Sequence, residues 1–225
     1  MNLKSQTSIS SSSQSTESQD GRLPLNRYVL FFVLLVIGLS ADLISKTLIF
    51  NSFYDASGAY QAPYWLIDSF FGIQCSTNPG ALFGMGKGLS WLFASVSVVA
   101  IVALIVWLFV FKAAVDFWLT FILGMISGGI LGNFYDRIGL GWRPEYSPDV
   151  KTDVRDWIHV YIEGVPGCTP WPNFNIADSL LVTGAMLLLL HAFFQKDPNA
   201  QPKENDSLNS SEPDPAIEPT VESQS

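Results

Sequence analysis

The sequence predicts an all-α membrane protein with four transmembrane helices, on three observations. Only 14% of its 225 residues are charged while 48% are hydrophobic, against about 25% charged in an average soluble domain. Four apolar runs, three of them uncharged, are each long enough to cross a bilayer. Both ends of the chain, by contrast, are polar and carry almost nothing to bury.

Residues 1–27 open the chain as a tail rich in Ser, Gln and Thr, expected to be disordered and cytoplasmic. The first span is Tyr28–Phe50, with no charge between Arg27 and Asp42 and an apolar pattern continuing past Lys46. Gly38 and Ser40 offer small residues of the kind at which a leader is cut, but the run continues well beyond them, so an uncleaved span explains more. Lys87 and Lys112 bracket the second span, Asp116 and Asp136 the third, Asp178 and Lys196 the fourth. Each has roughly 17–25 residues, enough at about 1.5 Å per residue to cross about 30 Å of hydrocarbon. Residues 195–225 close the chain as a second, acidic tail, so the membrane domain is residues 28–194.

The formal net charge of −8 is unevenly spread: +1 in residues 1–27, −4 in the membrane domain and −5 in the last tail. An acidic balance of this kind argues against a nucleic-acid partner. Four spans put both termini on one side. Arg22 and Arg27 before the first span and Lys196 after the fourth favour the cytoplasm for that side. The opposite face then receives two long loops, residues 51–88 and 136–175, against one short inner turn at residues 111–117. Polar helix ends converge on that outer face, where any chemistry is expected.

Ionisable groups within a span are expensive and point to function. Asp42 and Lys46, at i and i+4, either form an ion pair that pins a helix end or orient a site group. Asn133, Asp136 and Arg137 share one helix end, just after Gly128, Gly129 and Gly132, whose spacing permits close helix packing. Asn78, Pro79 and Gly80 mark a tight turn that either aims at a ligand or is an ordinary loop. Asp156, flanked by Val154, Trp157 and Ile158, has apolar company that favours the neutral acid. Asn175 and Asp178 begin the fourth span, as a helix cap or as site residues. Two carboxylates a few ångströms apart cannot both ionise, so one keeps its proton while the other acts as base.

Other chemistries have less support. His159 and His191 lack metal-ligand spacing, and no nucleophile elbow, P-loop or dinucleotide motif is present. Cys75 and Cys168 both fall in outer loops, as a disulfide or as two thiols. A small ion or solute transporter using Asp42, Asp136 and Asp178 as a cation path is the competing reading. It predicts charge on both faces, whereas the inner turn has only Lys112 and Asp116. A scaffold displaying acidic tails leaves the clustered aspartates unexplained.

Five ordered segments together resemble bacterial lipoprotein signal peptidase, also called signal peptidase II: Asp42–Lys46, Asn78–Gly84, Gly128–Arg137, Val154–Ile158 and Phe174–Ser179. The resemblance implies a four-helix fold with a small β-structured cradle in the first outer loop. It implies an intramembrane aspartic endopeptidase of the inner membrane that cuts prolipoproteins just before a diacylglyceryl-modified cysteine, with its site at the outer face. Carried over by motif, the catalytic pair is Asp156 and Asp178, and Asp42, Asn78, Gly80, Asn133, Arg137 and Asn175 shape or support the site. No metal or organic cofactor is implied; the expected partners are prolipoprotein substrates and membrane lipid, with the chain acting as a monomer. Two departures stand out. Trp157 replaces the usual Phe, and a longer Pro-containing insertion, Ile138–Arg155, brings Asp149 and Asp153, the latter a rival for the catalytic role.

Overall fold

The computed structural model describes residues 23–55, 61–80, 86, 88–164 and 171–194. Four helices long and apolar enough to span a membrane dominate it: α1 (Leu25–Phe53), α2 (Ser90–Ile105, continued to Val110 by a π-helical turn), α3 (Phe117–Arg137) and α4 (Ile176–Phe194). Three strands, β1 (Tyr64–Ile67), β2 (Phe71–Asn78) and β3 (Val154–Val160), form one antiparallel sheet in that order.

The helices begin and end where local chemistry requires. Pro24, fixed at φ −60°, precedes α1 and lacks the N–H that a helix start would leave unpaired. The 29 residues of α1 extend it to about 44 Å, well beyond about 30 Å of hydrocarbon. Its two ends together therefore extend beyond the apolar slab. After α2 the backbone makes one π-helical turn, Val106–Val110, and reverses through Lys112 in the left-handed region at φ 60°. Asp116 caps α3, its carboxylate accepting the Leu119 N–H at 3.0 Å, and also meets His191 of α4 at 2.8 Å. At this end, Phe31, Leu108, Ala114 and Leu123 form an apolar core, with Tyr28 stacked on Phe109.

The central helix is α3, packed between α1 and α4. Its glycines make that possible: a Cβ on Gly128 would come within 3.0 Å of the Leu35 carbonyl and 3.2 Å of the Gly38 Cα. Outward-facing residues such as Val29, Val36, Val99, Val102 and Leu189 are exposed, as expected of helices whose outer surface meets hydrocarbon rather than water.

The sheet differs from expectation in one respect. Its first two strands come from the first loop, as expected, but β3 comes from the insertion side of the second loop. An isolated two-stranded hairpin is marginal, and β3 completes the hydrogen bonding of β2, placing Ser76 opposite Asp156 and Asn78 opposite Val154. Residues 171–174 then bond along the other side of β3, the Trp157 and Ile158 N–H groups both donating to the Phe174 carbonyl.

The insertion is folded. Gly139, at φ +79°, ends α3, and Pro148–Val150 make a 3-10 turn. Tyr146 packs onto the projecting end of α1, with ring centroids 4.7 Å from Tyr54 and 6.2 Å from Phe50.

Candidate active site

The start of α4 is built by a reciprocal cap. The Asn175 side-chain oxygen accepts the Asp178 N–H at 2.9 Å, and an Asp178 carboxylate oxygen accepts the Asn175 N–H at 3.2 Å, satisfying helix-end donors that would otherwise be orphaned. With its oxygen so engaged, the Asn175 amide nitrogen points away from the helix and donates to Asp156 at 2.7 Å. One fully buried asparagine thus holds both carboxylates. Capping and site-building, which looked like alternatives in the sequence, are the same set of bonds.

Asp156 is delivered by β3, and its neighbours there, Val154 and Arg155, are also buried. Burial pushes its carboxyl up to about 8, and the charge of Asp178 adds to the rise. Hydrogen bonds from Asn175 and Asn78 and the charge of Lys46 oppose it without overcoming it.

Beneath the pair lies a buried floor of four charges. The Lys46 ammonium is 2.7 Å from Asp42, 3.1 Å from Asp136 and 3.1 Å from the side-chain oxygen of Asn133. Asp136 also takes two contacts from the Arg155 guanidinium, at 2.8 and 2.9 Å, and the Arg155 N–H at 3.2 Å. Two cations face two anions, which is the condition for keeping them away from water. The remaining oxygen of Asp42 accepts the Ala177 N–H at 2.9 Å, tying α1 to the first turn of α4. Gly132 makes room for this carboxylate, since a Cβ there would sit 3.0 Å from its Cγ.

Asn133 joins floor to dyad: its oxygen faces Lys46 and its nitrogen donates to Asp178 at 2.7 Å. Arg137, one turn further on, leans away and clamps the preceding loop. Its guanidinium donates to the Asn78 carbonyl at 3.0 Å and to the Gly80 carbonyl, and lies over the Phe93 ring of α2. The Gly80 N–H closes the turn onto the Asn78 side-chain oxygen at 3.0 Å.

The residues read from the sequence therefore converge: Asp156, Asp178, Asn175, Asn133 and Asn78 surround one point, with Asp42 below and Arg137 and Gly80 at the side. Asp153 lies in the turn before β3, and it is Asp156 that Asn175 engages. Asp149 is exposed. The i, i+4 spacing pairs Lys46 with Asp42, as an ion pair or to orient a site group; its reach from α1 to Asp136 and Asn133 of α3 had no local signal. A further cluster was missed. His159 Nδ1 meets the Asn173 oxygen at 2.8 Å, and the Asn173 nitrogen donates to the Gln74 carbonyl and the Ser76 hydroxyl, tying β2, β3 and residues 171–174 together. Cys75 is a free thiol among the described residues, pushed up to about 12 by burial. Cys168 lies outside the described residues, as do residues 1–22 and 195–225; α1 starts at Leu25, inside the tail expected to reach Arg27, because Pro24 rather than Arg27 starts the helix.

Comparison with known proteins agrees with this architecture. Residues 33–194 match the family model described as signal peptidase (SPase) II. A Lipoprotein signal peptidase of Rhodopirellula baltica is 49% identical over 178 residues, 79% of this chain and 78% of that protein. One from Geobacillus kaustophilus is 34% identical over 138 residues, 59% of this chain and 76% of that protein. A solved bacterial membrane enzyme, 24% identical, superposes with a TM-score of 0.59 over 81% of this chain and 96% of its own, and shares the fold. A matched stretch covering the membrane helices but for the start of α1, and the whole of the site, together with a relative identical at nearly half of the aligned positions, shows that the chain belongs to the signal peptidase II family, and so is a membrane-embedded peptidase.

Proposed function

We propose that this chain is an intramembrane aspartic endopeptidase that removes signal peptides from diacylglyceryl-modified prolipoproteins, cutting just before the lipidated cysteine. One observation carries the reading: two carboxylates from separate elements, Asp156 and Asp178, are held by the same buried Asn175, and one of them, Asp156, is held near neutrality by burial. A pair of that kind activates water. One aspartate takes a proton as the water oxygen attacks the scissile carbonyl carbon, and the other donates a proton to the carbonyl oxygen. The C–N bond then breaks, the amine leaves with a proton, and the signal peptide ends in a carboxylic acid. Asn78 and Asn175 are the candidate amide donors to the developing oxyanion.

The site lies where the polar ends of α1, α3 and α4 meet the sheet. We place this end at the outer face of the cytoplasmic membrane and both termini in the cytoplasm, a reading supported by Arg27 in the first turn of α1 and the basic residues flanking the spans. A substrate whose signal helix lies in the bilayer and whose acyl chains hold its cysteine at the interface then reaches the dyad directly. The body comprising residues 28–194 acts as a monomer surrounded by lipid, and the flanking segments serve as spacers.

Cleavage of a lipid-modified prolipoprotein in detergent micelles tests the proposal. Asp156→Asn and Asp178→Asn each abolish turnover; activity retained in both overturns it.

A further inference from the structure

We infer that His159 and Asn173 are positioning residues for the site: they hold a bulge in β2 whose register brings Asn78 to Asp156. The inference rests on the aspartic reading above, in which Asn78 serves the reacting carbonyl.

The pairing of the sheet contains the bulge. Ile73 faces Ile158 and Ser76 faces Asp156, so Gln74 and Cys75 of β2 lie opposite Trp157 alone. Two residues against one make a β-bulge, and everything beyond it is displaced by one position against the partner strand. Asn78 therefore falls opposite Val154, where an unbroken ladder continued from Ile73 would put Thr77. One position is about 3.3 Å along a strand, and it also reverses the face that a side chain takes. In the register observed, the Asn78 side-chain oxygen accepts the Gly80 N–H at 3.0 Å, which leaves its NH2 for the Asp156 carboxyl.

A side chain from a third segment holds this bulge. The Asn173 NH2 donates to the Gln74 carbonyl at 2.9 Å and to the Ser76 hydroxyl at 3.1 Å, and it lies 3.3 Å from the Gln74 side-chain oxygen. Those contacts bracket the extra residue. Trp157, opposite the bulge, gives its own N–H to the Phe174 carbonyl at 3.0 Å. A backbone carbonyl can only accept, so the Asn173 amide has one orientation, with its oxygen turned to His159 Nδ1 at 2.8 Å. Nδ1 therefore carries the hydrogen and donates.

His159 is fixed in turn by the rest of the sheet. It is buried, and it faces Gly72 of β2, which faces Trp65 of β1. A Cβ on Gly72 would come within 3.2 Å of the Trp65 ring, so the bare glycine lets that ring lie across the strand, 5.4 Å from the His159 ring between centroids. Three strands and the segment before α4 thus converge on one imidazole, three residues along β3 from Asp156. Its influence on the reaction passes through Asn173 and the bulge to Asn78.

Three variants test this in the full chain in detergent micelles, each shown to be folded by thermal unfolding. His159→Phe keeps a ring against Trp65 and loses the donor. His159→Asn restores an N–H donor near the place of Nδ1. Asn173→Asp keeps an acceptor for His159 but sets a second oxygen, in place of NH2, against the Gln74 carbonyl. With a lipid-modified prolipoprotein, His159→Phe and Asn173→Asp lower kcat by about 100-fold, the loss expected when a group is displaced by about 1 Å, with little change in KM. His159→Asn recovers most of it. In an Asn78→Ala background the same two substitutions cost less than about threefold more, because the group they position is already gone. A residue that only stabilised the sheet would add its full loss to that of Asn78→Ala. Losses that add in full, or wild-type kcat in a folded His159→Phe protein, overturn the inference.

Cys75 reads the bulge without turnover, since it lies within it, its thiol 4.0 Å from the Ile49 carbonyl of α1. In a Cys168→Ser background, N-ethylmaleimide modifies Cys75 at least about tenfold faster in His159→Phe and Asn173→Asp than in His159→Asn, as the loosened bulge frees the thiol. Equal rates overturn the inference even where turnover falls. Labelling needs no catalysis, so its outcome is separable from failure of the peptidase reading.

Discussion

Replacing Asn175 by serine separates the two tasks that this side chain combines. Serine is as good a helix N-cap as asparagine, so its hydroxyl keeps the acceptor that meets the Asp178 N–H at 2.9 Å. It is too short to reach Asp156, and the 2.7 Å bond from the amide to that carboxyl is lost. Leaving a buried acceptor without its partner costs about 1–3 kcal/mol. Asn175→Ala loses the same bond and the cap as well, a further 0.5–2 kcal/mol or so. The expected order of stability in detergent micelles is therefore wild type, then Asn175→Ser, then Asn175→Ala. Turnover follows a different order. Both variants release Asp156 from the hub, and misplacement of a reacting group by about 1 Å is enough for a loss of about 100-fold, so both fall together. Thermal unfolding and cleavage of a lipid-modified prolipoprotein measure the two quantities. Near-wild-type turnover in a folded Asn175→Ser protein refutes the reasoning, because Asn175 would then act as a cap alone.

Gly132→Ala pushes a methyl into the Asp42 carboxylate and the Ala177 side chain; overpacking of this kind costs about 1–3 kcal/mol, visible as a lower unfolding midpoint with reduced turnover. Arg155→Leu leaves Asp136 with Lys46 alone, and breaking a buried ion pair costs about 3–5 kcal/mol, read from unfolding in denaturant or heat. Asp156 makes stability depend on pH. Its carboxyl is raised from 3.8 to about 8 on folding, so the folded state holds the proton more tightly, and the stabilisation is full below about pH 4 and lost as pH rises to about 8. Wild type should lose stability against Asp156→Asn across that window, by at most about 1.4 kcal/mol per pH unit, and cleavage should decline above about pH 8. Removing residues 1–22 and 195–225 should leave kcat/KM nearly unchanged in the same cleavage assay; a large loss shows that these segments are more than spacers.

The legible part of this protein is that governed by composition and short spacing. An uncharged run of some twenty residues has few fates other than a membrane span, so the four helices could be bounded from Arg27, Lys87, Lys112, Asp116 and Asp178 alone. Scarcity of charge inside those runs made Asp42, Lys46, Asn133 and Asp178 conspicuous, and a helical period put Asn133 and Arg137 near one another. The same period could not say that Arg137 turns to the Asn78 loop while Asn133 turns to Asp178, because that choice depends on which neighbour each side chain meets.

Strand β3 shows the limit most clearly. Val154–Val160 pairs with a strand more than seventy residues earlier, and no local pattern encodes that register; yet the register decides that Asp156, rather than Asp153, is the carboxyl held by Asn175. The cluster of His159, Asn173 and Gln74 was invisible for the same reason, its members lying up to 99 residues apart. By itself the sequence determined that four helices cross a membrane and that rare charges gather at one end of them, since hydrophobic burial and helix periodicity are local properties. Only the tertiary structure decided how those charges are partnered. Hydrogen-bond direction is fixed by contacts between distant elements, and here an amide on α3 lies between a lysine on α1 and a carboxylate on α4.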